Sequence, residues 1–113
     1  MSELEHNTFP GGRTMLTFIQ NNAPDKTIIV MEGELVLGNE KQFLERVHDA
    51  AMSRPLPVEL DMENVLFVDS TGIGSLMNLI QYYKEQGRSI TINRVNPVLK
   101  LVLSNFLNHS VAV

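Results

Sequence analysis

The 113-residue sequence contains no cysteine, which removes disulfides, thiol nucleophiles and thiolate metal sites together and suits a reducing compartment. It also lacks any run of the roughly 18 to 20 consecutive apolar residues that a membrane-spanning helix needs. Its start, MSELEHNTFPGGR, is polar and holds no apolar signal-peptide region. A cytoplasmic protein without direct membrane insertion is the expectation. Basic clusters are missing as well: the nine Lys and Arg residues are spread over the whole chain and the net charge is −4. Nucleic acid is therefore not an expected partner, because counterion-release binding needs a basic face, and a polybasic lipid-docking patch is excluded in the same way. There is no internal repeat and no low-complexity tract. The length fits one domain, and a hydrophobic content of 43% is enough for a core.

What is present reads as one alternating domain behind a short leader. Residues 1–12 are polar, with Pro10, Gly11 and Gly12 breaking any regular element, so a flexible N-terminal tail is expected there and a folded domain over 13–113. RTMLTFIQ and KTIIVMEG are rich in β-branched and apolar residues, and the NNAPD between them is dense in turn formers, which predicts an antiparallel hairpin. From Asn39 the period changes, and Phe43, Leu44, Val47, Ala50 and Ala51 fall at helical spacing until SRPLP ends the run. PVELDM then predicts a short buried strand, with ENVLFVD leading out of it. From Thr71 a second helical face carries Ile73, Leu76, Met77, Ile80 and Tyr83, with Gly87 as its stop. RSITINRV reads as a strand, and Pro97 suits the first turn of a helix whose stripe is Leu99, Val102, Leu103 and Phe106. SVAV is the last candidate strand. The fold class is thus α/β: a mixed, mostly parallel sheet of four to five strands covered by helices.

The stretch FVDSTGIGSLM, residues 67–77, is the candidate site. Asp69, Ser70 and Thr71 stand where a strand enters a helix, and all three residue types are good N-caps, since their oxygens accept the first unpaired amides. Capping accounts for one of them. It leaves two adjacent hydroxyls after an acid, followed by Gly72 and Gly74, each costing about 1 kcal/mol of helix stability relative to alanine. Glycines there would keep the hydroxyls uncovered and let another surface approach. A phosphate-binding loop is excluded because DSTGIGS lacks the lysine and the glycine spacing of that motif. A hydrolase serine is disfavoured: the G-x-S-x-G elbow is absent, and the base would have to be His6 in the leader, His48 on the first helix in a solvent-facing position, or His109 near the end. Glu32 and Glu34 alternate along a strand end and read as two solvated acids rather than an acid–base pair. No enzyme activity, cofactor or metal is expected.

FVDSTGIGSL, with EGEL about 35 residues before it and RVNPVLKLVLSNFL after it, resembles a bacterial anti-sigma factor antagonist of the STAS domain family. The resemblance runs from about Arg13 nearly to the end, and its D-S-S/T-G-L/I-G core is specific when it follows an apolar strand and opens a helix. It implies that Ser70 is phosphorylated, with Thr71 as the alternative hydroxyl, by an anti-sigma factor serine kinase of the histidine-kinase-like ATPase type. A PP2C-type phosphatase would reverse the modification. The unmodified protein would bind the anti-sigma factor and free the sigma factor, and the phosphorylated protein would not. Loops at one end of a parallel sheet lie side by side. The expected partner surface is therefore Asp69, Ser70, Thr71, Gly72, Ile73 and Gly74 with Glu34, Leu37, Gly38 and Asn39, rather than the third helix.

Two features separate the chain from that pattern. The family's early strand usually ends G-E-L-D, with the aspartate near the phosphorylated serine, whereas this sequence reads GELVLGNE and has Val36 there. Many members also continue beyond the position of Val113 into a final helix. The second reading is accordingly an unphosphorylated STAS scaffold, or an accessory subunit of a larger signalling or transport assembly.

Overall fold

The stretch TIIVMEGEL sends alternate side chains to opposite faces, and its buried positions Thr27, Ile29 and Met31 mark the face that carries the core. The computed structural model, which describes residues 15–107 and 111–112, makes it strand β2 (Thr27–Leu35), paired antiparallel with β1 (Thr17–Asn22). The NNAPD turn closes this hairpin, with the Ala23 amide donating to the Lys26 carbonyl at 2.9 Å. Then follow α1 (Glu40–Ser53), β3 (Val58–Val68), α2 (Ser70–Glu85), β4 (Ile90–Val95), α3 (Pro97–Leu107) and β5 (Val111–Ala112). One sheet results, in the order β1-β2-β3-β4-β5, with every pairing after the hairpin parallel. The expected α/β class is therefore observed, while the 1–12 leader and Arg13 lie outside the described residues.

A single cluster forms the core. Phe43, Val47, Ala50 and Ala51 of α1, Leu76, Leu79, Ile80 and Tyr83 of α2, and Leu99 and Leu103 of α3 pack with Ile29, Met31, Leu60, Met62 and Ile92 of the sheet. Each fully buried large apolar side chain contributes about 1.5 to 3 kcal/mol relative to exposure. Two expectations are corrected here. Met77 is exposed and Leu79 is buried in its stead, because the stripe of α2 is centred on Leu76, Leu79, Ile80 and Tyr83. His48 does not simply face solvent: it is half-buried, shares a hydrogen bond through Nδ1 with the Tyr83 hydroxyl, and meets the edge of Tyr82. Burial in turn pushes the Tyr83 phenol pKa upward. The side chain of Phe106 lies outside the described residues.

The stretch ENVLFVD does not merely lead out of a short strand. It continues β3, whose 11 residues lie opposite the nine of β2. The register moves from Val30↔Asp61 to Glu32↔Asn64, and from Gly33↔Val65 to Glu34↔Phe67, so β3 carries one extra residue at each shift. These are β-bulges, which re-aim side chains. The buried residues Met62, Val65 and Val68 are consequently three apart, a spacing that a strict period of two misreads.

The edge of the sheet remote from the strands' C-terminal ends is fastened by two arginines. Helix α2 stops in a Schellman motif: Gly87, at φ 75°, donates to the Lys84 carbonyl and the Arg88 amide to that of Tyr83. That turn delivers the Arg88 guanidinium to the carbonyls of Ala51 in the last turn of α1 and of Arg54 and Leu56 just beyond it, at 2.7, 3.0 and 2.8 Å. Arg54 in turn reaches the carbonyls of Ala23 and Lys26 and the Thr27 hydroxyl. Hydrogen bonds to a charged donor contribute about 1.5 to 3 kcal/mol each, part of which water restores when the donor is removed. Arg88→Leu is therefore expected to lower stability by about 3 kcal/mol. Urea unfolding should show this as a lower midpoint with an unchanged slope, and an unchanged midpoint would mean that water fully replaces the clasp.

Candidate functional site

Strands β2, β3 and β4 are parallel, so their C-terminal ends and the loops into α1, α2 and α3 share one edge of the sheet. Each of those loops carries a short polar residue immediately before its helix: Asn39, Asp69 and Asn96. Such residues hydrogen-bond nearby backbone readily, which suits them to the strand-to-helix turn. Asp69 has extended backbone and caps α2, its Oδ1 accepting the Gly72 amide at 2.8 Å. Its Oδ2 accepts the Leu37 amide at 3.0 Å, and its own amide donates to the Leu35 carbonyl at 3.3 Å. One residue therefore caps a helix and ties the β2–α1 loop to it.

The other two polar residues extend this stitching. Asn39 is buried and donates through Nδ2 to the Glu34 carbonyl at 2.8 Å, folding the loop back on itself. Asn96 accepts the Leu99 amide through Oδ1 as the cap of α3 and donates through Nδ2 to the Val65 carbonyl, both at 2.9 Å. Side chains thus tie the three helix starts to different places: Asn39 to the end of the preceding strand β2, Asp69 to the β2–α1 loop and Asn96 to the neighbouring strand β3. This network was not foreseen from the sequence. The Asp69 cap could be read from the D-x-x-G spacing, but its second oxygen finds a partner 32 residues away, for which a linear pattern holds no sign.

The predicted site residues separate into three groups. Ser70, Leu37 and Gly38 are exposed, and Ser70 is the first residue of α2. Asp69, Thr71, Ile73, Gly74 and Glu34 are half-buried, with Ile73 resting on the core. Gly72 and Asn39 are buried. The Ser70 hydroxyl makes no hydrogen bond among the described residues, whereas both oxygens of the preceding Asp69 are engaged inside the protein. Leu37 is 63% exposed and so does not fold beneath α1. Val36, at the position of the family's aspartate, is buried, so no carboxylate stands there. Among the described residues, no three acidic or histidine side chains are grouped to hold a metal.

The two glycines have different causes. A Cβ on Gly72 would lie 2.2 Å from the Leu35 carbonyl oxygen and 2.8 Å from Val68 Cγ1. Its missing side chain thus serves packing within the chain, where the sequence suggested room for another surface. A Cβ on Gly74 would meet nothing within 4 Å.

The family model for the STAS domain matches residues 16–109. The chain belongs to the STAS domain family. This STAS domain matches no curated protein at a significant level. Among solved structures it is similar to RsbS of Moorella thermoacetica, in a serine-to-glutamate variant, at 15% identity over 85% of this chain and 86% of that one, with a TM-score of 0.68. The phosphorylated form of the Bacillus cell fate determinant SpoIIAA is similar at 16% identity over 85% and 89%, with a TM-score of 0.64. The murine anion transporter Slc26a9 is similar at 24% identity and a TM-score of 0.65, over 75% of this chain. The chain spans only 14% of that transporter's length. No helix among the described residues is long and apolar enough to cross a membrane.

Opposite outcomes are expected at the two glycines. Gly72→Ala forces α2 away from the Leu35 carbonyl and should cost about 2 kcal/mol or more. Gly74→Ala should raise stability by up to about 1 kcal/mol, because a helical glycine in open space loses more backbone entropy than alanine. Thermal unfolding of the two variants beside the parent checks both, and equal shifts would contradict the close approach at Gly72.

Proposed function

We propose that this STAS domain is a phosphorylation-switched anti-sigma factor antagonist. The unphosphorylated form binds an anti-sigma factor serine kinase of the histidine-kinase-like ATPase type and thereby frees a sigma factor. Phosphate on Ser70 ends that binding until a PP2C-type phosphatase removes it. The observation that carries this reading is the exposure of Ser70 at the first position of α2 while its acidic neighbour is turned inward as cap and tether. In the transfer, Ser70 Oγ bonds to the γ-phosphorus of ATP as the bond to the bridging oxygen breaks and ADP leaves. With Asp69 engaged by two amides, the hydroxyl proton goes to a base on the kinase.

The electrostatics favour a switch in binding over a change in fold. A phosphate adds about −1.5 to −2 charge at a helix start, where the dipole favours an anion by about 0.3 to 1 kcal/mol. The Asp69 carboxylate opposes it by around 1 kcal/mol in a largely solvated setting. The isolated domain thus changes little in stability. In a docked complex, a buried unpaired dianion costs several kcal/mol, and every 1.4 kcal/mol is about tenfold in affinity. The contacting surface comprises the Ser70 loop, Thr71, Gly74 and Ile73 on α2, and the Glu34–Asn39 segment, from which Leu37 projects.

A second reading is supported by Val36, buried where the family's acid would stand, and by the likeness to a domain within a long transporter chain. In it the domain is an unphosphorylated module of a larger assembly. Intact mass after expression beside the source cell's kinases separates the two, an added phosphate favouring the switch.

Ser70→Ala is expected to abolish phosphate incorporation from ATP by the kinase while leaving the unfolding transition in place, since the Asp69 cap survives. Undiminished incorporation would move the site to Thr71 or end the proposal. Leu37→Asp should weaken kinase binding by about tenfold or more. Its unfolding free energy should stay within the small range usual for surface substitutions, about 0.5 kcal/mol of the parent. Unchanged affinity in calorimetric titration would remove Leu37 from the interface.

A further inference from the structure

The loop between β2 and α1 is a tight turn whose corner is held from outside. The Asn39 amide donates to the Val36 carbonyl at 2.9 Å, which closes Val36, Leu37, Gly38 and Asn39 into a β-turn. Gly38, in the third position, takes φ 103°, the positive value that a type II turn requires there. The far side of the turn is fastened to its own neighbours: the Gly38 amide donates to Glu40 Oε1 at 2.7 Å, and Asn39 Nδ2 to the Glu34 carbonyl at 2.8 Å. A turn closed in this way makes no use of the amide of its second residue. That amide, on Leu37, donates to Asp69 Oδ2 at 3.0 Å.

The bond sets a spacing. Leu37 and Ser70 are both exposed and belong to segments far apart in the chain, yet Ser70 is covalently next to the residue that holds the Leu37 amide. A partner that grips the Leu37 side chain therefore meets the Ser70 hydroxyl at a distance fixed before binding. A loop already held loses little freedom when it is bound, and group transfer falls steeply when the acceptor is misplaced.

Capping by itself does not call for an acid at position 69, because serine and asparagine cap as well as aspartate does. Two amides from different segments need two acceptors, and an ionised carboxylate is the group with two oxygens and no donor. Asparagine turned to cap Gly72 would set its NH2 group against the Leu37 N–H, donor against donor. Serine would cap Gly72 with its one oxygen and leave the turn untied.

We infer that Asp69 is a positioning residue for the phosphorylation of Ser70: by holding the Leu37 amide it presents Leu37 to the kinase at a fixed spacing from the hydroxyl. This rests on the proposed function and adds to it the means by which two separate segments act as one recognition element.

The test uses the full chain, Mg-ATP and a serine kinase purified from the source cell by its activity on the wild type. Its first arm needs no kinase: by NMR, Asp69→Asn and Asp69→Ser are expected to speed hydrogen exchange of the Leu37 amide about tenfold or more, while the still-capped Gly72 amide keeps its protection. In the second arm both variants should raise the KM for the domain about fivefold with kcat unchanged, and circular dichroism melts confirm that each is folded. Loss of the charge at position 69 could act on the kinase directly, so a double-mutant cycle decides the route. Leu37→Ala raises KM, and Asp69→Asn added to it should raise KM no further, because its effect passes through Leu37. Unchanged exchange at Leu37, an unchanged KM, or effects on KM that multiply in the double variant would each overturn the positioning role while leaving the Ser70 switch standing. Failure of the switch reads differently: no kinase of the source cell places phosphate on the wild type, and the inference falls with it.

Discussion

The Asp69 carboxylate holds the site-bearing edge together. One oxygen takes the amide of Gly72 and fixes the first turn of α2, and the other takes the amide of Leu37 and fixes the preceding loop. A single ionisable group satisfies a part-buried amide at Gly72 and an exposed one at Leu37, and removing it takes the partner from both at once. The close approach of Gly72 to the Leu35 carbonyl depends on the same anchoring. Asn96 repeats the device at the start of α3, while Asn39 holds its own loop to the Glu34 carbonyl without capping α1.

An edge of this kind presents a hydroxyl without needing to move it. Ser70 follows the anchoring residue directly, at the end of a helix dipole and outside the internal hydrogen bonds, so its environment is set by backbone that a neighbouring strand already holds. The modification proposed there would alter charge at the surface and leave the anchoring intact. Under the proposed function, selective binding would follow from the desolvation cost of a dianion at the interface. The remote edge is held separately, by Arg54 and Arg88.

Much of the architecture was legible because it follows from local periodicity. The hairpin at NNAPD, the helix opened by Pro97, the stop at Gly87 and the stripe of Phe43, Val47 and Ala50 were all readable from residue type and spacing. Misreadings occurred where tertiary contacts override period. Bulges shift β3 so that Met62, Val65 and Val68 face the core three residues apart, and the stripe of α2 leaves Met77 outside because Leu79 occupies the position against the sheet. His48 seemed solvent-facing because nothing in the α1 sequence announces the Tyr83 hydroxyl across from it.

The same division runs through the site. The sequence by itself determined that an acid, two hydroxyls and two glycines would stand where a strand enters a helix, and the D-S-T-G-I-G order carried the family resemblance, since these depend only on adjacency along the chain. Only the tertiary structure decided which group does what. It placed Asp69 inward against Leu37, explained Gly72 by a carbonyl 37 residues earlier, left Gly74 without a packing reason and kept Ser70 open. The physical reason is that capping and turn chemistry act over a few residues, whereas hydrogen-bond partners and close approaches across parallel strands are set by register, and register emerges only when the whole sheet is assembled.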